Sequence, residues 1–180
     1  MAIISHRKKY IYIHIEKTAG TAIRHSIERY MDERTYTHEP LRELQTHFDT
    51  SEYFVFSSIR NPWDRAASWY RFYVQCELRK PDAMEFGKFL KEHYSPKRPQ
   101  YDYIVDANGE YAVDDMIRYE TLYDDYNRVC SKIGVDLPLK KLNVTKKTGP
   151  YQEYYTDSWM IDLIHETNRK DIEHFGYSFE

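Results

Sequence analysis

Two short stretches of this 180-residue chain bring cationic, hydroxyl-bearing and small residues together at spacings that suit oxyanion binding. The first is Lys17-Thr18-Ala19-Gly20-Thr21-Ala22. Gly20 and Ala19 let the backbone come close to an anion, and successive N–H groups there can point into one concavity. Lys17 adds a full positive charge, and Thr18 and Thr21 add hydroxyls. The lysine precedes the glycine and the Gly-x-x-x-x-Gly-Lys-Ser/Thr pattern is absent, so this is P-loop-like physics with different spacing. The alternative is an ordinary strand-to-helix turn with a solvated lysine. The second stretch is Arg60-Asn61-Pro62-Trp63-Asp64-Arg65, followed by Ser68. An arginine and a serine hydroxyl directed at one pocket suit a phosphate monoester; in the alternative, Arg65 only pairs with Asp64 or another acid. Two such sites in one small protein suggest a ligand that is anionic at both ends.

The flanking residues say what must position these groups. Tyr10–Ile15 alternates aromatic and aliphatic residues and predicts a strand running into the first motif, with a helix from about Thr21 to Met31. Tyr53–Ile59 predicts a second strand, and Pro62 suits the first turn of a helix over Trp63–Leu78. Helices are expected at Leu41–Thr46, Met84–His93, Glu120–Ile133 (ending at Gly134) and Thr156–Phe175. A short strand is expected at Asp115–Tyr119. Asn108-Gly109 supplies the positive φ of a tight turn and predicts a hairpin of Tyr101–Val105 with Tyr111–Val113. Strands alternating with helices imply an α/β fold with a three-layer, mostly parallel sheet, whose ligand site lies at the strands' carboxyl ends, where both motifs sit.

Composition bounds the function. At this length residues 1–180 read as one domain. Net charge is −3 and the isoelectric point about 6.2, which gives no basic stripe and argues against a general nucleic-acid or membrane binder. Cys76 and Cys130 lie far apart without a Cys-x-x-Cys, so free thiols in a reducing compartment are expected. No stretch approaches the ~20 apolar residues of a membrane span, and the N-terminus lacks an apolar core of signal-peptide length. The expected location is cytoplasmic. The eight histidines form no metal-ligand pattern, so no metal is expected.

The pair Lys-Thr-Ala-Gly-Thr after one strand and Ile-Arg-Asn-Pro-Trp-Asp-Arg-x-x-Ser-x-Tyr after another resembles the sulfotransferases that use 3′-phosphoadenosine-5′-phosphosulfate (PAPS), in particular the Golgi carbohydrate sulfotransferases and their small bacterial relatives. Asp114–Glu120 is similar to that family's later strand, Asn143 and the lysines after it to its variable cofactor-closing loop, and Asp171–Tyr177 to a common family ending. The resemblance implies a P-loop-NTPase-like sulfotransferase fold. It also implies that Lys17, Thr18, Ala19, Gly20, Thr21 and Ala22 hold the 5′-phosphosulfate, that Arg60 and Ser68 hold the 3′-phosphate, and that Asn143, Lys146 and Lys147 close over the cofactor. Ala22 stands where relatives often carry a hydroxyl, which weakens one 5′-phosphate contact. The membrane anchor of the Golgi members is missing, which favours a soluble form.

Sulfuryl transfer needs alignment and charge neutralisation, roles that suit Lys17 with backbone donors assisting. A hydroxyl acceptor, small molecule or carbohydrate, also needs a general base. His38, in the irregular segment between the motifs, is the first candidate and His47 the second, with Glu39 and Glu16 behind them. The competing expectations are a nucleotide kinase of related architecture and a non-catalytic module that binds adenosine bisphosphate.

Overall fold

The computed structural model describes residues 1–77, 84–94, 98–140 and 149–180. It is an α/β protein with one five-stranded sheet. Two compact units emerge where the sequence alone reads as one domain: Met1–Arg60 with Gln100–Asn143, and Asn61–Pro99 with Val144–Glu180.

The first unit holds the sheet. Its strands are β1 (Ala2–Ser5), β2 (Tyr10–Ile13), β3 (Glu33–Arg34), β4 (Phe54–Ile59) and β5 (Asp115–Arg118), in the order β3-β1-β2-β4-β5. The expectation of a mostly parallel sheet needs correction, because the sheet is mixed. β2, β4 and β5 are parallel neighbours, whereas β1 pairs antiparallel with both β2 and β3. The cause lies in a four-residue buried run, Ala2-Ile3-Ile4-Ser5, which a tight turn folds back onto β2. Lys9 closes that turn with φ 52°.

Helix α1 (Gly20–Ile27) and helix α5 (Leu122–Lys132) cover one face of the sheet. Ile3, Tyr10, Tyr12, Phe56 and Ile117 of the strands meet Ile23 and Ile27 of α1, Tyr126 and Val129 of α5, and Ile133 just past its end, all buried. A short helix α2 (Leu41–Leu44) buries both of its leucines. The hairpin expected at residues 101–113 is reduced to a single bridge, Val105–Tyr111. Its Asn-Gly turn does form, with Gly109 at φ 83° and the Asp106 carboxylate accepting the amides of Asn108 and Glu110. Tyr101–Tyr103 is instead a 3-10 turn.

The second unit is helical: α3 (Pro62–Glu77), α4 (Phe86–Glu92), α6 (Ser158–Thr167) and α7 (Arg169–Phe175). Its core is aromatic, with Trp63, Phe86, Phe89 and Tyr155 buried beside Met160 and Ile164. Trp69, Tyr70 and Tyr73 pack against it. The expected single helix over Thr156–Phe175 is two helices, broken where Asn168 leaves helical geometry (φ −123°, ψ 25°). The buried Asn168 side chain donates to the Ile164 carbonyl, which ends the first helix from within.

Candidate functional site

The three parallel strands end side by side, and the first residues past β2, β4 and β5 are His14, Arg60 and Tyr119. Parallel sheets place ligands at this carboxyl edge. Here a six-residue loop, His14–Ala19, joins β2 to α1.

Buried hydroxyls fix the loop. Thr18 Oγ1 donates to the Ile15 carbonyl at 2.8 Å and lies 2.8 Å from Ser58 Oγ, which lies 2.6 Å from the Tyr12 hydroxyl. Since Thr18 has given its proton to the carbonyl, the order of donation is Tyr12 to Ser58 to Thr18 to Ile15. The Thr18 side chain is thus an anchor facing inward, and only its backbone remains for an anion. Thus held, Lys17 and Ala19 adopt left-handed geometry, at φ 66° and 67°. For residues with a Cβ this costs on the order of 1 kcal/mol each, a strain typical of functional loops. Alternating backbone signs of this kind turn amides into one concavity. α1 then starts at Gly20 with no side-chain cap and no acid in its first turn. The Ala22 and Ile23 amides donate to the Ala19 carbonyl, so the Gly20 and Thr21 amides are the ones that precede the first intrahelical bond, and the helix dipole adds to their pull on a negative group.

Gly20 does not use positive φ; its constraint is space. A Cβ built there would lie 1.8 Å from Cδ2 of His14 and 1.9 Å from Nε2. The Cδ2–Nε2 edge of the His14 imidazole therefore packs against the start of α1. Burial, helped by the neighbouring His38 and Arg24, pushes the His14 pKa down to about 3, so the ring is neutral near pH 7. Among the described residues its Nδ1 has no hydrogen-bond partner.

His38 stands edge-on to His14, with ring centres 4.7 Å apart. Its Nδ1 lies 2.7 Å from the His14 carbonyl oxygen, and because a carbonyl only accepts, Nδ1 carries the proton. In the neutral ring the basic lone pair is then on Nε2, which faces Glu16 Oε1 at 4.0 Å. The segment bearing His38 is tied to the sheet edge by Thr35, whose amide donates to the Ala2 carbonyl and whose hydroxyl accepts the Ala2 amide.

Arg60 completes the corner. It is 4% exposed, its guanidinium lies over the Tyr119 ring at 3.7 Å, and Nη1 reaches the Lys17 carbonyl at 3.3 Å. Stacking on an aromatic face while donating at the edge suits a planar guanidinium. The Gln100 side chain sets its backbone, accepting the Arg60 amide and donating to the Arg60 carbonyl, both at 2.9 Å. Gln100 thus does the work of one residue of a neighbouring strand.

The structure brings Lys17–Ala22, His38 and Arg60 together within the first unit. His47 is elsewhere: it is exposed, and its neighbour Phe48 packs on Tyr53, at the opposite, amino end of β4. Ser68 lies on α3 in the second unit and is half-buried. Asn61 caps α3, its Oδ1 accepting the Trp63 amide at 3.0 Å. Asp64 pairs with Arg71 at 3.1 Å, and Arg65 is buried within the same unit. Asn143, Lys146 and Lys147 fall outside the described residues, as do residues 95–97. Four residues that position the site drew no attention in the sequence: Tyr12, Ser58, Gln100 and Tyr119. The one available signal was Ser57-Ser58, two adjacent hydroxyls at the end of an otherwise apolar strand.

Comparison with known protein families, characterised proteins and solved structures returned no match. Among the described residues no helix is long and apolar enough to cross a membrane, and no cluster of three or more His, Cys, Asp or Glu side chains could hold a metal ion.

Proposed function

We propose that this protein is a PAPS-dependent sulfotransferase that moves a sulfuryl group to a hydroxyl, with a carbohydrate or glycosylated metabolite as the acceptor, and that it works in the cytoplasm on a P-loop-like sulfotransferase fold. The observation that carries this reading is the meeting of the two motifs. The left-handed Lys17–Ala19 loop and Arg60 converge at one sheet edge, with His38 beside them.

The residues fit a doubly anionic nucleotide. Backbone amides at Lys17–Thr21, the uncapped start of α1 and the Lys17 ammonium offer donors and positive charge to the phosphosulfate end. Arg60 serves the 3′-phosphate. Lys17 neutralises charge on the departing phosphate oxygen as the sulfuryl group transfers. His38, with its proton fixed on Nδ1, receives the acceptor's hydroxyl proton at Nε2.

The test is a melting experiment followed by a transfer assay. Adenosine 3′,5′-bisphosphate at about 100 times its Kd adds about 2.7 kcal/mol to the folded state. For a chain of this size that raises Tm by roughly 5–10 °C. The shift is expected without Mg²⁺. A shift given by ATP with Mg²⁺ alone identifies a kinase instead, and binding of the bisphosphate without transfer from labelled PAPS to any glycan or phenol identifies a binding module.

A further inference from the structure

The amino end of β4 carries a second constellation, and strand register assembles it. His6 follows β1, Glu33 lies on β3 and Tyr53 immediately precedes β4. The pairings Ile4–Glu33, Ser5–Tyr10 and Tyr10–Phe54 bring all three to one end of the strands. His6 Nε2 lies 2.8 Å from Glu33 Oε1, and Nδ1 lies 2.7 Å from the Tyr53 hydroxyl. A carboxylate only accepts, so in the neutral ring Nε2 carries the proton and Nδ1 holds the lone pair. The Tyr53 hydroxyl therefore donates, and donation runs from Tyr53 to His6 to Glu33. A nucleophile bonded to a base that a third group orients is the arrangement that activates hydroxyls for covalent chemistry.

The imidazole is held in place but not enclosed. Asp32 Oδ2 accepts the His6 amide at 2.8 Å. Phe48 stacks on the imidazole with ring centres 6.1 Å apart and meets the Tyr53 ring edge-on at 5.3 Å. The His6 and Glu33 side chains are 41% and 61% exposed and Tyr53 is half-buried, so a reactant reaches them from solvent. The surrounding charges are balanced. Lys9, whose ammonium lies 4.9 Å from the centre of the Tyr53 ring, pairs with Glu52, and Arg7 pairs with Asp32. An ionic reactant gains no net attraction there, and an uncharged electrophile is the class this corner suits.

We propose that Tyr53 is a nucleophilic modification site that takes an acyl group from an activated ester. The Tyr53 oxygen bonds to the acyl carbon while the bond from that carbon to the ester oxygen breaks, its electron pair leaving with the alcohol fragment. The phenolic proton passes to His6 Nδ1. Glu33 holds the imidazolium until the ring returns the proton to water, and the product is an aryl ester on Tyr53. This site is separate from the Lys17 loop and does not depend on the sulfate chemistry proposed there.

The test labels the intact protein with p-nitrophenyl acetate at about pH 8, where free imidazole is neutral, and follows acetylation by peptide mass spectrometry. Hydroxylamine, which cleaves aryl esters and spares lysine amides, identifies the tyrosine adducts. Tyr36 is the internal reference, because it is 92% exposed and its hydroxyl makes no hydrogen bond among the described residues. Tyr53 should label about tenfold faster than Tyr36 although it is the less accessible of the two. His6→Gln should bring the Tyr53 rate down to that of Tyr36 or below, with Tyr36 unchanged, and Glu33→Gln should give an intermediate rate. A Tyr53 that labels no faster than Tyr36, or as fast in folded His6→Gln as in wild type, overturns the proposal. Should His6→Gln not fold, an unchanged Tyr53 rate in Glu33→Gln overturns it alone.

Discussion

The two ends of the same parallel strands carry similar residues and put them to different use. At the amino end, His6 lies between the Tyr53 hydroxyl at 2.7 Å and Glu33 at 2.8 Å, Lys9 pairs with Glu52, and Arg7 pairs with Asp32. These groups are largely exposed, and each cation has its acid. At the carboxyl end, His14 is buried, His38 is fixed through one nitrogen, Arg60 is stacked and bonded to a loop carbonyl, and an uncapped helix begins. Histidine, cation and carboxylate do not by themselves make an anion site. Burial, a fixed tautomer and donors with no acceptor do, and the topology supplies them only where the strands run out into helices.

Exchanging residues between the ends is the sharpest way to break this contrast. His38→Ala should cut turnover about 100-fold or more while leaving nucleotide affinity intact, whereas His47→Ala and His6→Ala should leave turnover within about twofold. Equal losses in all three would erase the distinction. Gly20→Ala comes next: its methyl meets the His14 ring, so stability should drop by about 1–3 kcal/mol in denaturant unfolding. The double variant Gly20→Ala/His14→Ala should regain most of that loss. If it does not, the close approach of His14 is not what requires glycine.

A smaller effect concerns pH. The pKa of His14 is depressed to about 3 in the folded chain, so between pH 3 and the ordinary histidine value of 6.5 the unfolded chain binds the extra proton. Stability should therefore fall as pH drops through that window, with His14 contributing at most about 1.4 kcal/mol per pH unit. His14→Gln should flatten the wild-type slope between pH 4 and 6.5, and parallel slopes would show that the ring protonates without cost. Smallest of all, Glu52→Gln at the amino end should change stability by less than about 1 kcal/mol, because its pair with Lys9 is mostly exposed.

A second pair sharpens the same lesson. Arg60 and Arg65 come from one motif and are 4% and 3% exposed. Arg60 ends a strand and reaches the Lys17 loop. Arg65 sits within the helical unit, where it and the buried Asp171 act with opposite sign on the Tyr94 hydroxyl, whose pKa is raised mainly by burial. Spacing alone could not separate a loop-facing arginine from a buried one.

What the sequence determined was local. Apolar runs predicted strands over Tyr10–Ile15 and Tyr53–Ile59, which form over Tyr10–Ile13 and Phe54–Ile59, Pro62 and Gly134 marked a helix start and a helix end, and the small, cationic loop after β2 was visible from residue types. Each of these is decided within a few residues by sterics and period. What only the tertiary structure decided were relations across long stretches of chain. A four-residue run at Ala2–Ser5 becomes a strand because β2 offers it an edge, and the Gln100 side chain, outside any strand, pairs with the backbone of Arg60. Thr18 turns inward because Ser58, forty residues on, holds its hydroxyl. Gly20 is needed because His14 fills the space of a side chain, and His38 rather than His47 reaches the loop because the edge of β1 ties Thr35 in place. Such choices depend on which groups share a buried volume, and a one-dimensional pattern carries no record of that.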